Sequence, residues 1–109
     1  MKLFWTKEVL NKLQEIEIFI AKDNPEVAIE FINKIIALAE TKADNPEKGR
    51  IVPELSIPQI REILFKNYRI VYINKKKSIE ILTVFEGHKL LLKEEIIIVN
   101  SVKKPHLTK

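Results

Sequence analysis

The apolar residues of this chain change period once, near residue 60, and that change restricts the fold more than any other feature. Before it, Val9, Leu13, Ile16 and Ile20, and then Ala28, Phe31, Ile32, Ile35, Ile36 and Ala39, recur at the spacing of helices with one buried stripe. After it, three runs rich in β-branched and aromatic residues occupy 60–65, 68–73 and 79–86, separated by Lys66-Asn67 and by residues 74–78. Links this short join antiparallel neighbours. The sequence thus predicts helices followed by an antiparallel meander, with one face of the sheet covering the helical stripes.

Local signals place the ends of these elements. Lys2 to Trp5 read as a short strand ending at Thr6, whose hydroxyl can cap a helix, with Trp5 and Leu10 at the positions of a hydrophobic staple. Asp23-Asn24-Pro25 breaks that helix and starts a second, capped by Asn24 with Pro25 in its first turn. So short a break predicts an antiparallel helix pair. Asp44-Asn45-Pro46 ends the second helix, and the segment to Pro58 reads as an ordered loop with a scrap of strand at Ile51-Val52. The expected class is α+β, in the order β-α-α-β-β-β. An extra C-terminal strand or helix falls in residues 90–99, where β-branching favours strand for Ile96 to Val99, and the last ten residues read as a polar tail.

With 109 residues, 46% of them apolar, the chain suits one compact domain. It contains no apolar run of the roughly 18 residues a membrane span needs and no secretory leader, so a cytoplasmic protein with no membrane partner is expected. Zero cysteines exclude disulfides and thiol chemistry, and the two histidines, His88 and His106, make a poor metal set. Two glycines cannot build a phosphate-cradling loop. No metal and no cofactor is expected. The net charge of +4 is uneven: residues 1–65 carry nine Lys/Arg against eleven Asp/Glu, whereas residues 66–109 carry ten against four. A basic C-terminal part attracts phosphate backbones or an acidic protein partner.

A two-residue turn at Lys66-Asn67 sets a register in which Arg61 faces Tyr72, Leu64 faces Arg69 and Phe65 faces Tyr68. Arg61 and Arg69 then lie on opposite faces, and Glu62 sits diagonally from Arg69. A half-exposed salt bridge and a functional cation are equally good readings of Arg69. Tyr68 and Tyr72 share a face, where packing is the better reading than base stacking. Lys66 and Lys75 to Lys77 decorate turns, where charges sit because turns are wet. His88-Lys89 follows Gly87 at a strand end, where a histidine can act as a general acid or base or simply cap the strand.

Trp5-Thr6, Asp23-Asn24-Pro25 before Ala28, Phe31 and Ile32, Asn45-Pro46, Gly49 to Leu55, Ile60-Arg61-Glu62, Tyr68-Arg69-Ile70-Val71-Tyr72, and Ile79 to Leu82 leading to Gly87-His88-Lys89 follow one another in a recognisable order. In that order and spacing the chain resembles the RelE/ParE superfamily of toxins of type II toxin-antitoxin systems, in its ParE-like branch. The resemblance covers residues 1–92 as one toxin domain and leaves 93–109 as an extension of unassigned role. It implies the helix-helix-meander fold already read from periodicity.

The resemblance also implies a small cytoplasmic, growth-inhibiting protein of plasmid-stabilisation type, neutralised by a cognate antitoxin whose acidic C-terminal segment wraps over it. Assembly as a homodimer or a toxin-antitoxin heterotetramer goes with it. ParE-like members bind DNA gyrase, and RelE-like members cleave mRNA, usually on the ribosome and without metal. For cleavage, the 2′-hydroxyl must lose a proton and the phosphate must be surrounded by cations. Arg61, Arg69 and Lys89 would then supply charge and His88 a proton shuttle. Arg69 matches the arginine of the family's Tyr-Arg-x-x-Tyr pattern, and Lys89 a later arginine of RelE-like members. Two features of the RNase branch are missing: nothing after Tyr72 is aromatic except Phe85, and only Lys48 and Arg50 stand as cations in residues 43–58. The sequence therefore favours a binder of a macromolecular target over a nuclease, with an inactive solitary member that only binds antitoxin as a third reading.

Overall fold

A computed structural model describes residues 1–87 and 106–108. Its elements are β1 (Lys2–Thr6), α1 (Lys7–Ala21), α2 (Pro25–Asp44), β2 (Arg50–Ile51), β3 (Ile60–Phe65), β4 (Tyr68–Asn74), β5 (Ser78–Glu86) and β6 (His106–Thr108). Thr6 caps α1 by accepting a hydrogen bond from the Val9 amide, 3.2 Å. Asn24 caps α2 by accepting from the Glu26 and Val27 amides, with Pro25 in the first turn. Both starts agree with the sequence reading.

The strands form a mixed sheet in the order β2-β3-β4-β5-β1-β6. The β3-β4 hairpin has the expected register, with Arg61 opposite Tyr72, Leu64 opposite Arg69 and Phe65 opposite Tyr68. Its turn holds Lys66 at φ 54, the left-handed region that glycine adopts more cheaply. Two pairings lie outside the expected meander. β1 runs parallel to β5, Lys2 beside Ser78 and Trp5 beside Ile81, and β6 closes antiparallel on β1, Trp5 beside Leu107. Residues 106–108, read as part of a polar tail, are instead a strand. The stretch 90–99, where an extra strand or helix was expected, lies outside the described residues.

Both faces of the sheet are covered. On one, α1 and α2 bury Val9, Leu13, Phe31 and Ile35 against Ile63, Ile70, Tyr72, Ile79, Ile81 and Val84. A register shift between Val71 and Tyr72 leaves Leu82 as the extra residue of a β-bulge, so the inward positions of β5 pass from Ile79 and Ile81 to Val84. Leu82 and Phe85 thereby turn to the other face, where the loop of residues 52–59 packs Val52 against Ile60, Val71, Leu82 and Phe85. Among the described residues, no helix is long and apolar enough to cross a membrane.

Candidate functional site

The loop of residues 52–59 meets the sheet over a group of four charged side chains. Arg69, in the middle strand of the meander, donates from both terminal nitrogens to the two oxygens of Glu54, at 2.6 and 2.7 Å. Its Nε donates to Oε1 of Glu62 at 2.6 Å, and Arg50 donates from Nε to the second Glu62 oxygen at 2.8 Å. The Arg69 guanidinium also lies over the Phe85 ring, 5.1 Å from its centroid. Arg69 is 6% exposed and Glu62 only 1%. Taking charges out of water at this depth is tolerable only because each carboxylate oxygen and guanidinium edge is matched.

The sequence placed Glu62 diagonally from Arg69, and the ion pair is there, but fully buried rather than half-exposed. The Glu54 carboxylate, followed by that of Glu62, holds the guanidinium proton more firmly than usual, and their attraction outweighs the opposing effect of burial.

Arg61 lies on the opposite face, as its register predicts, and ties residues 47–49 to the end of the 52–59 loop. Its Nη1 donates to the carbonyls of Glu47 and Gly49, at 2.8 and 3.0 Å, and its Nε to that of Pro58, at 3.0 Å. Tyr72 works beside it: its hydroxyl accepts from the Gly49 amide, 3.1 Å, and donates to the Pro46 carbonyl, 2.7 Å. A Cβ on Gly49 would stand 2.2 Å from the Tyr72 hydroxyl, so this close approach requires glycine. Burial pushes the Tyr72 phenol above its ordinary value of 10.0, against the lowering effects of the Gly49 amide and Arg61. Tyr68, on the same face, packs edge-on to Phe31 with centroids 5.1 Å apart. Both tyrosines are packing residues.

A cleft of about 360 Å³ opens beside the charged group, lined among others by Arg50, Glu54, Leu64, Lys66, Arg69 and Gly87. The Arg50 side chain is 54% exposed at its rim. Gly87 closes the far side, its amide donating to the Asn67 carbonyl at 2.6 Å. Among the described residues no set of three His, Cys, Asp or Glu side chains is placed to hold a metal ion.

The geometry describes a small α+β domain, and comparison with known proteins gives its family. The family model of the ParE toxin of the type II toxin-antitoxin system parDE matches residues 3–91. The chain belongs to the ParE toxin family. A protein of Sinorhizobium fredii named "Putative toxin Y4kP" is 32% identical over 89 residues, which span 80% of this chain and 88% of the relative. A solved structure titled "Chromosomal ParDE TA system from P. aeruginosa" shares the fold, with a TM-score of 0.63 and 22% identity over 79% of this chain and 95% of its own.

Within this ParE-family fold the two of the four residues singled out by sequence that are described, Arg61 and Arg69, are not brought together. Arg61 and Arg69 lie on opposite faces of the sheet, and His88 and Lys89 lie outside the described residues. What sequence reasoning missed is Glu54 as the bidentate partner of Arg69, together with Arg50 on Glu62. The contact joins loop to sheet across 15 positions, and no periodicity reports it. The available signal was Glu54 itself, a charged residue between Pro53 and Leu55 in an otherwise apolar stretch of loop.

Proposed function

We propose that this protein is the growth-inhibiting toxin of a type II toxin-antitoxin pair, that it acts by binding a macromolecular target, DNA gyrase, and that a cognate antitoxin with an acidic C-terminal segment neutralises it. One observation carries the choice of binding over RNA cleavage. The guanidinium of Arg69, the cation a nuclease would direct at the scissile phosphate, is clamped between Glu54 and Glu62. A cation neutralised by two carboxylates and held on the scaffold is poorly suited to collect the charge that develops on phosphate in a transition state. Arg61 likewise satisfies three backbone carbonyls. A binder needs neither residue to be available, only a rigid surface, and both arginines supply rigidity.

The family relationship and the excess of basic residues after position 65 support the antitoxin partner, since opposite charge speeds encounter and restricts wrong pairings. Inducing the protein in bacteria without its antitoxin should arrest growth with filamentation and intact transcripts by primer extension. Transcript cuts at fixed codon positions, abolished by His88→Ala with the fold retained, would establish the RNase reading in its place.

A further inference from the structure

Part of the basic excess after position 65 is gathered at the end of the sheet remote from the Arg69 cleft. The β4-β5 turn holds Lys75, Lys76 and Lys77, and the parallel register sets Lys2 beside Ser78, the first residue of β5 after that turn. The turn is internally braced: Lys75 donates from its backbone to the Ser78 carbonyl at 2.8 Å and Lys77 to that of Lys75 at 2.8 Å, while the Asn74 side chain accepts from the Lys76 amide at 3.1 Å. Lys76 sits at φ 71, where asparagine or glycine would be less strained. Lys75 reaches Glu80 at 3.3 Å, whereas no carboxylate stands within 4 Å of the Lys2, Lys76 or Lys77 ammonium groups among the described residues.

We propose that this lysine-bearing end of the sheet docks on the phosphate backbone of a nucleic-acid duplex. Three lysine side chains on one braced turn and its neighbouring strand suit a row of phosphates, which asks for cations and little else. An acidic protein partner would need more than charge. Protein interfaces have an apolar centre within a polar rim, and most of the exposed large apolar side chains, Ile18, Phe19, Val27, Ile29, Ile51 and Leu64, lie on the helix pair and on β2 and β3, with Met1 alone next to Lys2 in sequence. Lysine is also the less suited cation for bidentate carboxylate recognition, and there is no exposed arginine here to supply that geometry.

The test is fluorescence anisotropy of the full chain with a labelled mixed-sequence DNA duplex, and separately an RNA duplex, over a series of salt concentrations. Binding should weaken with salt, with a log-log slope of about −0.9 for each phosphate neutralised, so about −3 for three. Lys76→Glu with Lys77→Glu should cut affinity roughly tenfold or more and flatten the slope by about two such increments. Lys66→Glu, at the opposite end of the sheet, should leave affinity nearly unchanged. Lys76→Asn separates binding from folding: affinity falls while the melting temperature holds or rises. Equal binding to both duplexes fits shared phosphate chemistry, and a preference identifies the physiological strand type. The proposal is overturned by no binding at low salt, by equal losses in Lys66→Glu, or by lysine-dependent binding to polyglutamate with none to either duplex.

Discussion

The helix-covered face of the sheet is held mainly by apolar contact, whereas the loop-covered face combines a smaller apolar cluster with the buried Arg69-Glu62 pair, to which Glu54 and the more exposed Arg50 are joined. Two helices bring a long stripe each, enough for Ile35 and Val9 to be wholly buried and for the area term to dominate. The loop of residues 52–59 has only Val52, Leu55 and Ile57 to offer. So little area fixes its position poorly, and the bidentate Arg69-Glu54 pair supplies the geometry that burial does not. Buried ion pairs contribute less net stability than their number suggests, and more to the uniqueness of an arrangement. In this protein they specify where a loop sits.

The comparison breaks most clearly if Arg69 is removed. Arg69→Ala leaves two carboxylates facing each other near the sheet and should cost about 3–5 kcal/mol in urea denaturation. Replacing Arg69, Glu54 and Glu62 together by apolar residues of similar volume should cost much less, and an equal cost would mean that the network itself supplies the stability. Next in size, Ile35→Ala on the helix face should cost about 2–5 kcal/mol, because packed helices leave a cavity that cannot collapse. Val52→Ala on the loop face should cost less, since a loop can settle onto the gap; calorimetry of the two variants decides.

The smallest effect belongs to alkaline pH. Burial, assisted for Tyr68 by Glu86, raises the phenol pKa of both tyrosines above the ordinary 10.0. The folded state therefore keeps its phenol protons longer than the unfolded chain. That contribution is fully present below pH 10 and is lost as pH rises through the folded values. Melting temperature should fall above pH 10, and Tyr72→Phe should flatten the fall, with absorbance at 295 nm following ionisation. As both tyrosines are on the helix side, the loop side should be indifferent.

What the sequence disclosed was local. Caps at Thr6 and Asn24, the helix pair and the register across Lys66-Asn67 each follow from a few adjacent residues, and a two-residue turn determines all the pairings of its hairpin. The parallel pairing of β1 with β5 joins positions 76 apart, Lys2 with Ser78, and nothing in either segment specifies a partner at that distance. His106 to Thr108 are too few to show alternation, so they passed for tail. The bulge at Leu82 hid in a run that is apolar on both sides. At the candidate site the same rule held: Glu62 is one hairpin away from Arg69 and was found, while Glu54, out on a loop, was not.

The position of β1 also bears on synthesis. In the sheet β1 lies between β5 and β6, both made long after it, so its backbone hydrogen-bonding groups wait for those partners until residues 78–81 and then 106–108 emerge. The helix pair can form early, but the sheet it rests on closes only once residues 78–81 and 106–108 have been made. Completion of the sheet is thus held back well behind formation of the helices that cover it.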